Sequence, residues 1–121
     1  MKRLFVDSFF YIALLNPRDR HHRQAQSMAA DLAGSRFWTT DLVLAEVANL
    51  LSEAQIRLRA AALLRALTRS NDTTIVRLTL ELFESALALY EQRPDKEWSL
   101  TDCLSFVVMQ GRRPGCMHYR L

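Results

Sequence analysis

The stretch LFVDSFFYIALL, residues 4–15, sets the reading of the whole chain. Leu4-Phe5-Val6 is a short β-prone run, apolar without alternation, as expected of a strand buried on both faces of a parallel sheet. The strand is expected to end at Asp7, and Ser8 to Leu15 to form a short helix stopped by Asn16-Pro17. The same alternation recurs downstream. Arg18 to Ala33 reads as a second, mostly polar helix stopped by Gly34, and Arg36 to Thr39 as a second strand. A periodic segment follows from Asp41 to Glu53, with Val43, Val47, Leu50 and Leu51 as its buried stripe, and Gln55 to Arg69 continues helical. Asn71-Asp72 marks a turn before a third strand, Thr73 to Leu78. Leu80 to Gln92 is an amphipathic helix expected to turn Leu82, Phe83, Ala86, Leu89 and Tyr90 inward. Arg93-Pro94-Asp95 is a loop, and Leu100 to Gln110 the last helix, with Ser99 as its N-cap. Apolar strands separated by helices describe an α/β fold of three layers, a parallel sheet flanked by helices.

The 121 residues (14.0 kDa) suffice for one sizeable core, so a single domain over 1–121 is expected. Three Gly and three Pro in a chain that is 50% hydrophobic argue against a sandwich, a collagen-like repeat or a disordered chain. The formal charge of +3 permits contact with a polyanion without requiring one. Two cysteines match no zinc or redox spacing, which suits a reducing cytoplasm. Basic residues before an apolar stretch at the start imitate a secretory signal, but Asp7 interrupts it and no cleavage pattern follows. No apolar run reaches the roughly 18 residues needed to span a bilayer, so no membrane association is expected. The tail GRRPGCMHYRL, residues 111–121, is basic, broken by Gly and Pro, shows no clear element and reads as an ending cut short.

Three carboxylates stand where apolar residues are expected. Asp7 closes a buried strand, at the end where parallel sheets bind ligands. Glu46 lies three residues after Val43 and four before Leu50, and Asp102 four before Phe106. Burying unpaired charge costs several kcal/mol or neutralises the group. A shared divalent cation would offset that cost, and oxygen-only ligands suit Mg²⁺ or Mn²⁺. Zinc is not suited: His21 and His22 are adjacent and His118 is remote. Each acid also has a local reading. Asp102 completes a capping box with Ser99, Glu46 pairs with an arginine such as Arg57 or Arg3, and Asp7 caps the first helix.

In order and spacing these segments resemble the PIN domain, the nuclease fold of VapC-type toxins. LFVDSFFYIALLNPRDRHH resembles the family's first-strand aspartate followed by a small hydroxyl residue. TTDLVLAEVANLL resembles the second motif, with its glutamate in the helix after strand two. RPDKEWSLTDCLSFVVM is similar to the third, with its aspartate in Ser-Leu-Thr-Asp-Cys. The resemblance implies a Mg²⁺- or Mn²⁺-dependent endoribonuclease with Asp7, Glu46 and Asp102 as metal ligands. Ser8 and Thr40 would orient a water or a phosphate, and Asp95 is a further candidate acid or a solvated loop charge beside Lys96. It also implies an RNA substrate, a homodimer and a cognate antitoxin. One departure matters: the family usually carries a fourth acid after a further strand, and no Asp or Glu follows Asp102. A missing strand would leave a sheet edge open.

Positive charge concentrates early, with ten Lys and Arg against six acids through Asn71. Arg18, Arg20 and Arg23 accompany His21 and His22, while Arg57, Arg59, Arg65 and Arg69 line one helix. Either group would hold an RNA backbone if it flanked the acids, and would otherwise be a solvated face. Trp38 and Trp98 are candidates for stacking on bases or for packing in the elements they adjoin. Two other functions compete: a catalytically impaired PIN module that binds RNA or a protein partner, and a phosphatase of the haloacid dehalogenase type. The last needs a second acid two residues after the first, where this chain has Phe9.

Overall fold

A computed structural model describes residues 2–111 and 117–120. Along the chain these form β1 (Lys2–Phe5), α1 (Ser8–Leu15), α2 (His22–Asp31), β2 (Arg36–Thr40), α3 (Asp41–Leu50) and α4 (Ala54–Arg69). There follow β3 (Thr73–Val76), α5 (Leu80–Gln92), a 3-10 turn (Pro94–Lys96), α6 (Leu100–Gln110) and β4 (Met117–Arg120). Four of the helices begin on a side chain that accepts a hydrogen bond from the first turn: Asp7 for α1, Thr40 for α3, Thr79 for α5 and Ser99 for α6. The polar helix after Pro17 starts four residues later than its periodicity suggests. Asn16 Oδ1 accepts from Arg18 N–H at 3.1 Å and Asp19 Oδ1 from His21 N–H at 2.8 Å, holding residues 16–21 in turns that compete with the helix. Gly34, at φ 89°, makes the left-handed turn into β2.

All four strands are parallel, in the order β3-β2-β1-β4. The expectation of no element in residues 111–121, and of an open edge beside the first strand, is corrected by β4. Lys2, Arg3, Leu4 and Phe5 pair with Met117, His118, Tyr119 and Arg120, so β1 is an inner strand. A four-residue strand that exists only through distant pairing leaves little local signature. Inner position accounts for the apolar run: Leu4, Phe5 and Val6 are all buried.

Phe5 and Trp38 meet edge to face, ring centroids 4.9 Å apart, at the centre of one continuous core with Val43, Val47, Leu51, Cys103 and Leu104. This places Trp38 in the core, not on an RNA-facing surface. Two inward expectations are corrected. Leu50 is 61% exposed and Tyr90 50% exposed, each at the margin of its helix's apolar stripe, where periodicity does not separate core from rim. Leu44 joins Val43, Val47 and Leu51 on the buried side of α3. Among the described residues no helix is long and apolar enough to cross a membrane.

Candidate active site

Chain order and sheet order together define a crevice. From β1 the chain adds β2 and then β3 on one side, and β4 is added on the other, so the direction of winding reverses at β1. Ligands of open parallel sheets bind at the carboxyl ends of the strands at such a reversal. Asp7 stands two residues beyond the end of β1, buried at 3% exposure, and Ser8 beside it is equally buried. Its Oδ1 accepts from the Ser8 N–H at 2.8 Å, so the carboxylate sits on the N-terminus of α1, where the helix dipole favours negative charge.

α1 and α3 follow the carboxyl ends of β1 and β2, so their first turns lie at this end of the sheet. α3 packs against both α1 and α6. Glu46, in the second turn of α3, is half-buried and borders the buried stripe; among the described residues no ion pair joins it to Arg57 or Arg3. Asp102, half-buried, completes the capping box of α6: its Oδ2 accepts from the Ser99 N–H at 3.2 Å, and its own N–H donates to Ser99 Oγ at 3.0 Å. The neighbouring Cys103 thiol is fully buried and is pushed up by burial, with the negative charge of Asp102 adding to the effect.

Thr40 is fully buried and its hydroxyl accepts from the Val43 N–H at 3.1 Å, so it caps α3. Asp95 lies on the 3-10 turn with its side chain 61% exposed, and both its oxygens accept from Arg93 at 3.1 Å. That pairing holds the Asp95 carboxyl below the usual range. Arg93 in turn lies 5.6 Å from the centroid of half-buried Trp98, whose ring contacts Phe106 at 4.7 Å.

Two residues of this end escaped the sequence reading. Thr39, fully buried, donates its hydroxyl to the Val6 carbonyl at 2.8 Å and so ties β2 to the residue before Asp7. Asp41 Oδ2 accepts from the Leu78 N–H at 2.9 Å, fastening the chain after β3 to the start of α3; its buried Oδ1 has no hydrogen-bond partner among the described residues. Both contacts join residues more than thirty positions apart, which no local pattern announces.

The structure thus sets Asp7 at the carboxyl end of β1, with Glu46 on the α3 helix that packs against α1 and Asp102 on the α6 helix that packs against α3, while Asp95 is occupied by Arg93. Among the described residues, no group of three or more His, Cys, Asp or Glu side chains is close enough to hold a metal ion. The donors at this end are carboxylate and hydroxyl oxygens, a chemistry that fits a hard cation and not zinc.

Comparison with known proteins agrees with this architecture. Residues 4–113 match the model of the PIN domain family. The chain is 31% identical over 107 residues to the 23S rRNA-specific endonuclease VapC20 of Mycobacterium tuberculosis, in both strain CDC 1551 / Oshkosh and strain ATCC 25618 / H37Rv, a match covering 88% of this chain and 80% of each relative. The crystal structure of M. tuberculosis VapC20, described as a sarcin-ricin loop cleaving toxin, superposes with a TM-score of 0.81 at 28% identity, covering 98% of this chain and 88% of that one. With the family model matched across residues 4–113 and the fold shared with VapC20, this chain belongs to the PIN domain family.

Proposed function

We propose that this protein is a Mg²⁺- or Mn²⁺-dependent endoribonuclease, the toxin of a toxin–antitoxin pair. The observation that carries the reading is Asp7, a buried carboxylate at the carboxyl end of an inner parallel strand. Supporting it are the family membership and the likeness to VapC20, named for cleaving 23S rRNA. An RNA stem-loop of the sarcin-ricin type is therefore the first substrate to try.

Asp7, Glu46 and Asp102 are the residues that would hold the ion. When bound, a divalent cation lowers the pKa of a water and offsets charge on the leaving oxygen. The chain's own contribution is orientation: Ser8 N–H fixes the Asp7 carboxylate, Ser99 fixes that of Asp102, and Thr39 holds the strand end from which Asp7 projects. Ser8 is buried beside Asp7, in position to orient a water or a phosphate oxygen. A cognate antitoxin, a homodimer and a cytoplasmic site of action complete the proposal.

A second reading is a PIN module that binds RNA or a protein partner without cutting. It is favoured by the absence of a compact group of three acids among the described residues. Incubating purified protein with Mn²⁺ and a sarcin-ricin stem-loop separates the two. The first reading expects cleavage that stops with EDTA and is lost in Asp7→Asn and Asp102→Asn. Variants that cut as fast as the parent would sink it, and metal-independent binding without cleavage would establish the second.

A further inference from the structure

α4 carries four arginines, Arg57, Arg59, Arg65 and Arg69, and no acid in its 16 residues. The whole chain has 16 basic side chains against 13 acidic, so with α4 set aside twelve basic residues face thirteen acids. The entire positive excess of the molecule lies on this helix. Ile56 and Ala60 turn into the core, and all four arginines are exposed. Arg57 donates to the Ser52 carbonyl at 3.1 Å; among the described residues no ion pair engages any of the four. Nearby acids leave them unanswered. Glu53, just ahead of the helix, is held by Arg18 at 2.6 Å, and exposed Asp72, beyond its end, pairs with none of them. Of the elements that pack most against α4, α1 and β3 carry no acid, while α3 carries Asp41, bonded to the Leu78 N–H, and half-buried Glu46.

Helix stability does not explain the pattern. Like charges four residues apart, as at Arg65 and Arg69, oppose helix formation, and only Arg69 stands in the last turn, where a cation suits the dipole. Arg59, Arg65 and Arg69 spread along about 15 Å of helix, so no single phosphate meets all three. The ligand that fits carries its negative charge along a line, as a nucleic-acid strand does, and the guanidinium fork matches phosphate geometry. Between the arginines this face shows small residues, Ala61, Ala62 and Ala66, with exposed Leu58 as its one large apolar side chain. That is too little for the apolar and aromatic centre of a protein interface. Taking from the ribonuclease reading that the partner is RNA, we infer that the outer face of α4 is a phosphate-tracking surface that holds the RNA backbone apart from the bond that is cut.

The test is fluorescence anisotropy of a labelled single-stranded RNA oligonucleotide in EDTA, across several salt concentrations, with cleavage measured separately in Mn²⁺. Arg59→Gln, Arg65→Gln and Arg69→Gln combined should weaken binding and reduce the slope of log affinity against log salt by about 2, and Arg65→Gln alone by about 0.7. The three arginines replaced by lysine should keep the parent's slope. Glutamine is as good a helix former as arginine, so thermal unfolding of the glutamine variants should match the parent. In cleavage, KM should rise with kcat unchanged. If slope, affinity and KM all equal the parent's, the α4 assignment falls while the ribonuclease reading stands. A loss of kcat at unchanged KM would place the arginines at the cut bond and overturn the proposal, as would a parent from which poly-glutamate displaces the RNA as well as unlabelled RNA does. If the parent binds RNA through these arginines but cuts no RNA with Mn²⁺, the surface stands and the ribonuclease reading falls.

Discussion

Asp7 and Asp95 are both short acids placed just ahead of a helix, and the chain treats their charges in opposite ways. Asp95 is exposed and both oxygens lie on Arg93, so its charge is answered by a counter-ion and by water. Asp7 is buried, with the Ser8 N–H and the dipole of α1 on its carboxylate, in a part of the fold where desolvating an anion costs several kcal/mol. An exposed ion pair is cheap to place and cheap to lose. A buried acid at the winding reversal of a parallel sheet is costly to keep charged, and on the ribonuclease reading a cation would offset that cost.

The largest test of this contrast is Asp7→Asn. Asparagine caps a helix about as well as aspartate, so unfolding should move little, while cleavage should fall about 100-fold or more, the scale of disturbing a metal site. A variant that keeps cleavage would reduce Asp7 to a cap like any other. Ser99→Ala comes next. It removes the hydroxyl half of the α6 capping box, and a loss of about 0.5–2 kcal/mol should appear as a lower urea midpoint; cleavage should fall far less than in Asp7→Asn, since the Ser99 N–H that holds the Asp102 carboxylate is a backbone donor that alanine keeps. Thr39→Val should cost about 0.5–1.5 kcal/mol on the same measurement, from the lost bond to the Val6 carbonyl. Asp95→Asn should be the quietest, cutting RNA within about twofold of the parent. The Arg93 guanidinium holds the Asp95 carboxyl below the usual range, so the pair's contribution is complete above the ordinary carboxylate pKa. It disappears as pH falls through the lowered value. Side-chain NMR titration should show this, and Arg93→Gln should return Asp95 to the ordinary range.

Helices whose signals are local were legible from sequence. α5 and α6 run from Leu80 to Gln92 and from Leu100 to Gln110 as the periodicity predicts, because the residues that start and stop them adjoin them. Asp7, Glu46 and Asp102 stand out as candidates in the sequence for the opposite reason: each is a charge in an apolar pattern, a local inconsistency that something must resolve. The structure shows Asp7 capping α1 and Asp102 closing the capping box of α6, as their local readings expect, and the proposed metal-holding role would fall on the same carboxylates. What sequence did not show depends on distant partners. β4 is defined by β1, Thr39 by Val6 and Asp41 by Leu78, while Leu50 and Tyr90 sit on stripe edges whose exposure the neighbouring elements decide.

The pairing of β1 with β4 carries a consequence for the order of assembly. The strand that leads to Asp7 is synthesised long before its second flank, residues 117–120, so the ladder that encloses it closes over the whole stretch from Lys2 to Met117. Loop closure over that span is the slowest kind of contact to form. A nascent chain can therefore build its central helices early and still lack a finished crevice until β4 docks.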